Sequence, residues 1–173
     1  FFNHVGYTNS NGARSLVRGI TNRFTDSPVL DETAIYYKQF NRFSAAFALL
    51  TDVSMLVIGG SLKRKETISA RLGDVLSALY LASTSLKYYE DIGDREAELP
   101  LVHWTQKTLI NEAQEKIHQT LSNFPTKLVA SLSRFLIFPL GLNVSGTTID
   151  ETLKIGKLIS RKTKTRENLI QRI

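Results

Sequence analysis

Apolar residues recur every three or four positions through most of this chain, and no run of five or more residues alternates as a half-buried strand would. A period of 3.6 residues places the apolar side chains on one face of a helix. The pattern therefore predicts an all-α protein. Helices are predicted over the ranges 4–22, 31–58, 65–91, 100–123, 125–138 and 149–160, with a further turn or two over 165–172.

Local signals predict where several of these helices begin and end. The glycine pair 59–60 follows the last periodic residue of the second helix, a position that favours glycine. Pro100 suits the first position of the fourth helix, because the N–H that it lacks has no helical partner there. Thr148 and Glu151 have the spacing of a capping box. Short connections between long helices favour antiparallel neighbours, which predicts an up-and-down bundle of five to six helices, with 1–173 as one domain.

Charge is distributed unevenly along the chain, whose net charge is +6. Residues 90–98 hold five acidic side chains and predict a solvated connection, whereas residues 154–172 hold seven basic side chains and one acidic one. Such a basic segment is either a solvated face or a surface for an anionic membrane or a partner. No aromatic residue follows Phe138 to stack on bases, so no nucleic acid is expected. The candidate surface residues are Lys154, Lys157, Arg161, Lys162, Lys164 and Arg166.

A structural ion pair is predicted from the geometry of a helical hairpin. If the second and third helices fold back around residues 59–64, Asp52 lies at the height of Arg71. A charge left without a partner in the apolar stretch 47–57 would cost several kcal/mol. We therefore predict that Asp52 pairs with Arg71, and that Asp74, one turn further on, shares the same guanidinium.

The residues alone predict no catalytic, cofactor-binding or metal-binding site. The chain has no cysteine, which excludes a thiol nucleophile, Cys-ligated zinc and iron–sulfur clusters. His103 and His118 are expected about 22 Å apart on one helix and cannot share a metal. The stretch 141–148 has the glycine spacing of a phosphate loop, but Thr147 stands where that loop needs lysine.

Two apolar stretches bear on membrane contact. Both 45–58 and 135–142 are shorter than the ~20 residues of a spanning helix, so no span is predicted. The second stretch is apolar enough to enter a membrane interface, or to be a buried core helix. The chain opens on Phe1, and its one methionine is Met55, so a domain of a longer chain is expected.

Several stretches resemble the C-terminal region of one bacterial family, the large, membrane-associated, fatty-acid-oxidising acyl-CoA dehydrogenases of gammaproteobacteria. They occur in the same order and at similar spacing as in that family, and together they span most of the chain. The stretches are NRFSAAFALLTDVSM (41–55), GGSLKRKE (59–66), SARLGDVLSALYLAS (69–83), LPLVHW (99–104), NFP (123–125) and IFPLG (137–141).

The resemblance implies the C-terminal accessory domain of an FAD-dependent enzyme that desaturates fatty acyl-CoA between the α and β carbons, the first step of β-oxidation. It implies that the catalytic glutamate and the FAD-binding residues belong to the preceding domains, so that this part is not catalytic by itself. It further implies packing on those domains, dimer contacts, and a bacterial cytoplasmic enzyme peripheral to the inner membrane. A stand-alone helical adaptor that binds anionic lipid or an acidic protein is the alternative.

Overall fold

The computed structural model describes residues 10–17, 27–29, 31–91 and 95–171. The residues in these ranges form seven α-helices and no strand, which confirms the predicted all-α class. A 3₁₀ helix, Gly59–Arg64, connects the second α-helix to the third. The α-helices are α1 (10–17), α2 (Ala34–Ile58), α3 (Glu66–Asp91), α4 (Arg95–Ser122), α5 (Lys127–Ile137), α6 (Ile149–Ser160) and α7 (Lys164–Gln171).

Helix α4 is the centre of the bundle. Helices α2, α3, α5, α6 and α7 all contact it. Ile110, Ala113 and Ile117 lie on its core face and are 0% exposed. They join one apolar cluster with Phe43 and Leu50 of α2 and with side chains from α3 and α5. Burial of this apolar surface is the main driving force for the fold.

Polar contacts between helices fix the direction of the first three long helices. The Tyr37 hydroxyl near the start of α2 donates to Glu90 near the end of α3. Further on, Gln106 Nε2 of α4 donates to the Ala82 carbonyl of α3 at 2.8 Å. Neighbouring helices therefore run antiparallel, and the up-and-down arrangement is confirmed for α2, α3 and α4.

Helix α6 begins and ends where the sequence predicts. The Thr148 hydroxyl accepts from the Glu151 backbone N–H at 3.2 Å, and the Glu151 carboxylate accepts from the Thr148 N–H at 2.8 Å. This is the predicted capping box, which satisfies two N–H groups that a helix start leaves without helical partners. The end of α2 is also confirmed, because Gly59 has a φ of 56°, which favours glycine.

The start of α4 differs from the prediction, since the helix begins at Arg95 and contains Pro100. Glu98 is 0% exposed and accepts from Asn168 Nδ2 of α7 at 3.0 Å. The Thr165 hydroxyl of α7 donates to the Ala97 carbonyl at 2.8 Å. Packing against α7 therefore extends α4 into the predicted solvated stretch. The first predicted helix, 4–22, lies outside the described residues except for 10–17.

The connection between α5 and α6 is irregular and is held by two buried polar side chains. Gln114 of α4, 1% exposed, accepts from the backbone N–H groups of Asn143 and Val144 at 3.2 Å and donates to the Val144 carbonyl at 2.7 Å. Arg42 of α2, also 1% exposed, donates to the Asn143 side chain and to the Ile137 carbonyl. Burial lowers the pKa of the Arg42 guanidinium.

Replacing Gln114 should therefore destabilise the protein although a similar volume is retained. We expect Gln114→Leu to lower the free energy of unfolding by about 2–4 kcal/mol, because two N–H groups and one carbonyl lose their partner. Gln119→Leu, at an exposed position of the same helix, should change it by less than about 0.5 kcal/mol. Urea unfolding followed by circular dichroism measures both, and equal losses would contradict the assigned role of Gln114.

Candidate functional site

The predicted ion pair between Asp52 and Arg71 is wrong. Asp52 accepts from Asn11 Nδ2 of α1 at 2.6 Å, so its partner comes from a helix that the hairpin argument did not consider. Arg71 Nη1 donates to the Thr67 carbonyl of its own helix at 3.4 Å. The prediction fails because a further helix, α1, lies beside the part of α2 that carries Asp52.

Asp74 also has a partner other than the predicted guanidinium. It accepts from Lys116 Nζ of α4 at 2.7 Å, with both side chains partly exposed. Helix α3 packs chiefly on α4, and Asp74 lies on the side of α3 that faces α4. An ion pair at this exposure contributes about 0–1 kcal/mol to stability.

The two described histidines have structural surroundings. His103 Nδ1 lies 2.7 Å from the buried Tyr36 hydroxyl, and its Nε2 lies 3.6 Å from Glu32. Burial and the charge of Glu151 raise the pKa of Tyr36 to about 12, so this phenol stays protonated. His118 makes an edge contact with Phe138 at 6.4 Å between ring centroids. The described residues contain no group of three or more side chains suited to hold a metal ion.

The predicted basic surface lies on α6, α7 and the turn between them. Arg166 is half-buried, and its Nη1 donates to the Ser160 carbonyl at the end of α6 at 3.2 Å. Exposed apolar residues accompany the cations, among them Leu153 on α6. The other five predicted side chains are exposed: Lys154, Lys157, Arg161, Lys162 and Lys164.

Helix α5 presents an apolar stripe to solvent. Leu128, Leu132 and Phe135 are 69%, 57% and 63% exposed and follow one another at helical spacing. The opposite side of α5, with Ala130 and Ile137, is buried against α4 and α2, so this helix has apolar side chains on both sides. The sequence contains no acidic residue from 116 to 149. Contiguous exposed apolar side chains of this kind are common at interaction surfaces.

A second surface feature is the α3–α4 groove, a largely apolar cleft of about 570 Å³. It is lined by Leu81 and Tyr88 on α3 and by Leu101 and Thr108 on α4. Leu169 of α7 also lines it. The sequence analysis missed this groove, because it arises from the separation of two helices that each read as ordinary amphipathic segments.

The segment Ala34–Arg64 is long and apolar enough to cross a membrane by length and composition, with a mean hydropathy of 1.8. The apolar stretch on which the expectation of no membrane span was based, 45–58, is only part of this segment. A core helix of a soluble protein passes the same test, so this evidence is weak. Phe43, Leu49 and Leu50 of this segment are at most 2% exposed and pack in the main core, whereas Met55 and Val57 are exposed.

The described residues thus form an all-α bundle around α4, with an exposed apolar stripe on α5 and a basic surface on α6 and α7. The family model described as acyl-CoA dehydrogenase, C-terminal, bacterial type, matches residues 1–173. The chain therefore belongs to this family, which confirms the resemblance at family level. Its membrane-associated gammaproteobacterial subgroup stays a prediction. No solved structure matches the chain.

The ion pair between Glu151 and Lys107 gives a pH prediction for the docking of α6 on α4. Hydrogen bonds from Lys107 and from the Thr148 backbone lower the pKa of Glu151 below its ordinary value of 4.5. The stabilisation is present above the unfolded-state pKa and is lost as the pH falls through the lower folded-state pKa. Glu151→Gln should therefore weaken the dependence of the unfolding free energy on pH between 5 and 3, as measured by urea unfolding. Glu112→Gln, an exposed control on α4, should retain it; identical profiles for both variants would contradict the prediction.

Proposed function

We propose that this chain is the C-terminal, non-catalytic helical domain of an FAD-dependent acyl-CoA dehydrogenase that desaturates fatty acyl-CoA in β-oxidation. The family match over residues 1–173 is the observation that carries this proposal. The domain packs on the catalytic domains of the same chain and helps to hold the enzyme at an anionic membrane surface. A homodimer follows from the resemblance alone.

The α3–α4 groove does not fit FAD. The pyrophosphate of FAD requires several hydrogen-bond donors, and the α3–α4 groove is largely apolar. The Thr84 and Thr108 hydroxyls in the groove already donate to carbonyls of their own helices, at 3.0 and 2.9 Å. The proposal therefore assigns the cofactor and the catalytic base to the preceding domains.

The apolar stripe of α5 supports packing on those catalytic domains. Its three side chains are more than half exposed, and burying each would contribute about 1.5–3 kcal/mol. A solvent-facing stripe of this size is costly for an isolated domain, whereas it is expected of a domain that has a permanent neighbour. Leu140, which follows α5 in the chain, is also exposed, at 67%.

The basic surface supports peripheral membrane binding at the cytoplasmic side of the inner membrane. Its cations lie within one short stretch on α6, the turn and α7, where each contributes about 1 kcal/mol near an anionic bilayer. The exposed Ile149 and Leu153 on α6 provide apolar side chains that can enter the interface.

The stand-alone adaptor uses this same surface, so the two functions differ in whether catalytic domains precede Phe1. A gene with an upstream catalytic domain supports the enzyme, and a start codon immediately before Phe1 supports the adaptor.

Substitutions on α5 should separate this chain from the catalytic domains. With the two parts expressed separately and mixed, we expect Leu132→Glu with Phe135→Glu to weaken their association at least about tenfold, since 1.4 kcal/mol corresponds to that factor. Calorimetric titration measures it. The matched double variant Leu76→Glu with Tyr80→Glu, at exposed positions of α3, should leave the affinity unchanged. Equal effects of the two double variants would contradict the assignment of the α5 stripe.

Membrane binding should depend on the cations of α6 and the turn. In co-sedimentation with phosphatidylglycerol vesicles at low salt, we expect Lys154→Gln, Lys157→Gln and Arg161→Gln together to weaken binding by roughly a hundredfold. Raising the salt to 1 M should weaken wild-type binding in the same direction, because screening shortens the range of the attraction.

The control for this experiment is a triple variant with the same change of charge in the 3₁₀ helix and the residue after it. Lys63→Gln, Arg64→Gln and Lys65→Gln lie at exposed positions and should change binding only as the loss of net charge requires. Binding that is indifferent to anionic lipid, or that falls equally in both triple variants, would refute docking through the basic surface.

A further inference from the structure

The exposed side of α3 carries no charged residue over about four turns of helix. Leu76, Tyr80 and Leu81 are 55%, 66% and 52% exposed, and the other exposed positions of this range are small or bear a hydroxyl. The two charged residues of the range are half-buried, and one of them, Asp74, pairs with Lys116 of α4 at 2.7 Å. The exposed positions, which we call the uncharged face, are Ser69, Ala70, Gly73, Leu76, Ser77, Tyr80, Leu81 and Thr84. They recur every three or four residues and therefore form one continuous surface about 22 Å long.

Gly73 lies within the uncharged face at a position where packing inside the described structure does not require glycine. A Cβ at this position would have nothing within 4 Å, and the φ of Gly73 is not positive. Glycine inside a helix is less favourable than alanine, because it loses more backbone freedom on folding. Glycine on a helix face does, however, allow another backbone to approach closely. Together with the exposed apolar side chains that follow it, Gly73 therefore indicates a neighbour packed against this face.

Charged residues of opposite sign flank the uncharged face at equal distances. Glu66 lies three residues before the face and Lys87 lies three residues after it, and both are exposed. Beyond these two positions the sign changes at each end of the helix. The outer charges are Lys63, Arg64 and Lys65 before α3, and Glu90 and Asp91 at its end. The charges are therefore opposite in sign on the two sides of the centre of the face, which lies between Leu76 and Ser77.

The wider surroundings of the end of α3 are also acidic. Lys87 is bound within its own helix, to Asp91 at 2.9 Å and to Glu90 at 3.8 Å. Five described acidic residues lie near this end, against three basic ones: Glu90, Asp91, Glu96, Glu98 and Glu167 against Lys87, Lys164 and Arg166. The region before α3 has the opposite balance, since residues 63–66 hold three basic side chains and one acidic one.

An antiparallel second copy of α3 matches this distribution of charge. When a two-fold axis passes between Leu76 and Ser77, Glu66 of each copy lies opposite Lys87 of the other. The basic segment 63–65 of each copy then faces the acidic end of the other α3. A parallel pair would instead bring like charges together at both ends. Because opposite charges across an interface fix its register and disfavour other arrangements, the charges select the antiparallel pair.

The same axis also brings small side chains opposite large ones. Gly73 of one copy lies opposite Tyr80 of the other, and Ser69 lies opposite Thr84. A crossing angle of about 20° is common between packed helices and keeps both ends within reach of long charged side chains. The face is therefore complementary to itself in shape as well as in charge, which is what a two-fold interface requires.

We propose that the uncharged face of α3 binds a second copy of this chain, as an antiparallel helix pair about a two-fold axis between Leu76 and Ser77. One helix face is a small contact for a dimer, so we expect dissociation on dilution, with a Kd of about 1 µM to 1 mM. The proposal concerns the 173-residue chain itself and does not rest on the enzyme assignment.

Glycine substitutions test the location of the interface. In sedimentation over a range of concentrations, we expect the wild-type chain to form a dimer that Gly73→Leu weakens at least about tenfold, because the added side chain occupies the space of Tyr80 from the other copy. Gly156→Leu, at an exposed glycine of α6 whose Cβ would also have nothing within 4 Å, should change the Kd by less than about twofold. Circular dichroism checks that each variant is folded. A chain that stays monomeric at its highest soluble concentration, or equal effects of the two variants, would overturn the proposal.

A charge swap tests the antiparallel register. At low salt, Glu66→Lys and Lys87→Glu should each weaken the dimer about threefold or more, and the double variant should return to within about twofold of wild type. The two positions are about 32 Å apart on one helix, so a restored affinity can arise only between copies. Glu66→Lys with Lys157→Glu, which has the same net charge, should stay as weak as Glu66→Lys alone. Losses that add in the Glu66→Lys, Lys87→Glu double variant would overturn the register.

Two double variants distinguish this interface from the α5 stripe and from the catalytic domains. Leu76→Glu with Tyr80→Glu should abolish the dimer, and Leu132→Glu with Phe135→Glu should retain it. The reverse result would overturn the proposal and assign the dimer to α5. Loss of binding to separately expressed catalytic domains in the α3 variant would assign the uncharged face to those domains. A wild-type dimer that does not bind catalytic domains would support the present proposal while refuting the packing proposed for α5.

Discussion

Two buried glutamines on α4 make hydrogen bonds to neighbouring segments of the chain, and of their side-chain polar atoms Gln106 Oε1 has no partner among the described residues. Gln106 is 0% exposed and donates to the Ala82 carbonyl and the Ser85 hydroxyl, which fixes the height of α3 against α4. Gln114 holds the backbone of residues 143 and 144, from which the chain continues into α6 and α7. Because an unsatisfied buried amide costs about 1–3 kcal/mol, these contacts select one packing of the bundle among several apolar alternatives.

The sequence predicts the parts of this fold that depend on local chemistry. The start of α6 follows from Thr148 and Glu151, and the end of α2 follows from Gly59, because each signal acts within one helical turn. The position of Pro100 misplaces the start of α4, since its first turn is supported by α7, about seventy residues further along the chain. A distant contact of this kind leaves no local signal.

The candidate surfaces also include one that the sequence predicts and one that depends on how the helices pack. Five of the six predicted basic residues of α6, α7 and the turn between them are exposed, because charged side chains seldom lose water without a partner. The α5 stripe could not be predicted, since Leu128 and Leu132 are as apolar as the core side chains and only the packed structure shows which side faces out. Asp52 illustrates the limit for pairs, because its partner Asn11 belongs to a helix that sequence spacing did not relate to α2.

Helix α6 is lightly attached to α4. Ile155 is its only buried residue, and its remaining links to α4 are the Trp104–Thr152 hydrogen bond and the Lys107–Glu151 ion pair. A segment with so little buried surface opens locally at a small fraction of the free energy needed to unfold the core. The backbone amides of α6 are therefore expected to exchange with solvent hydrogen much faster than those of α4. When α6 opens locally, its cations can reach a partner while the rest of the bundle stays folded.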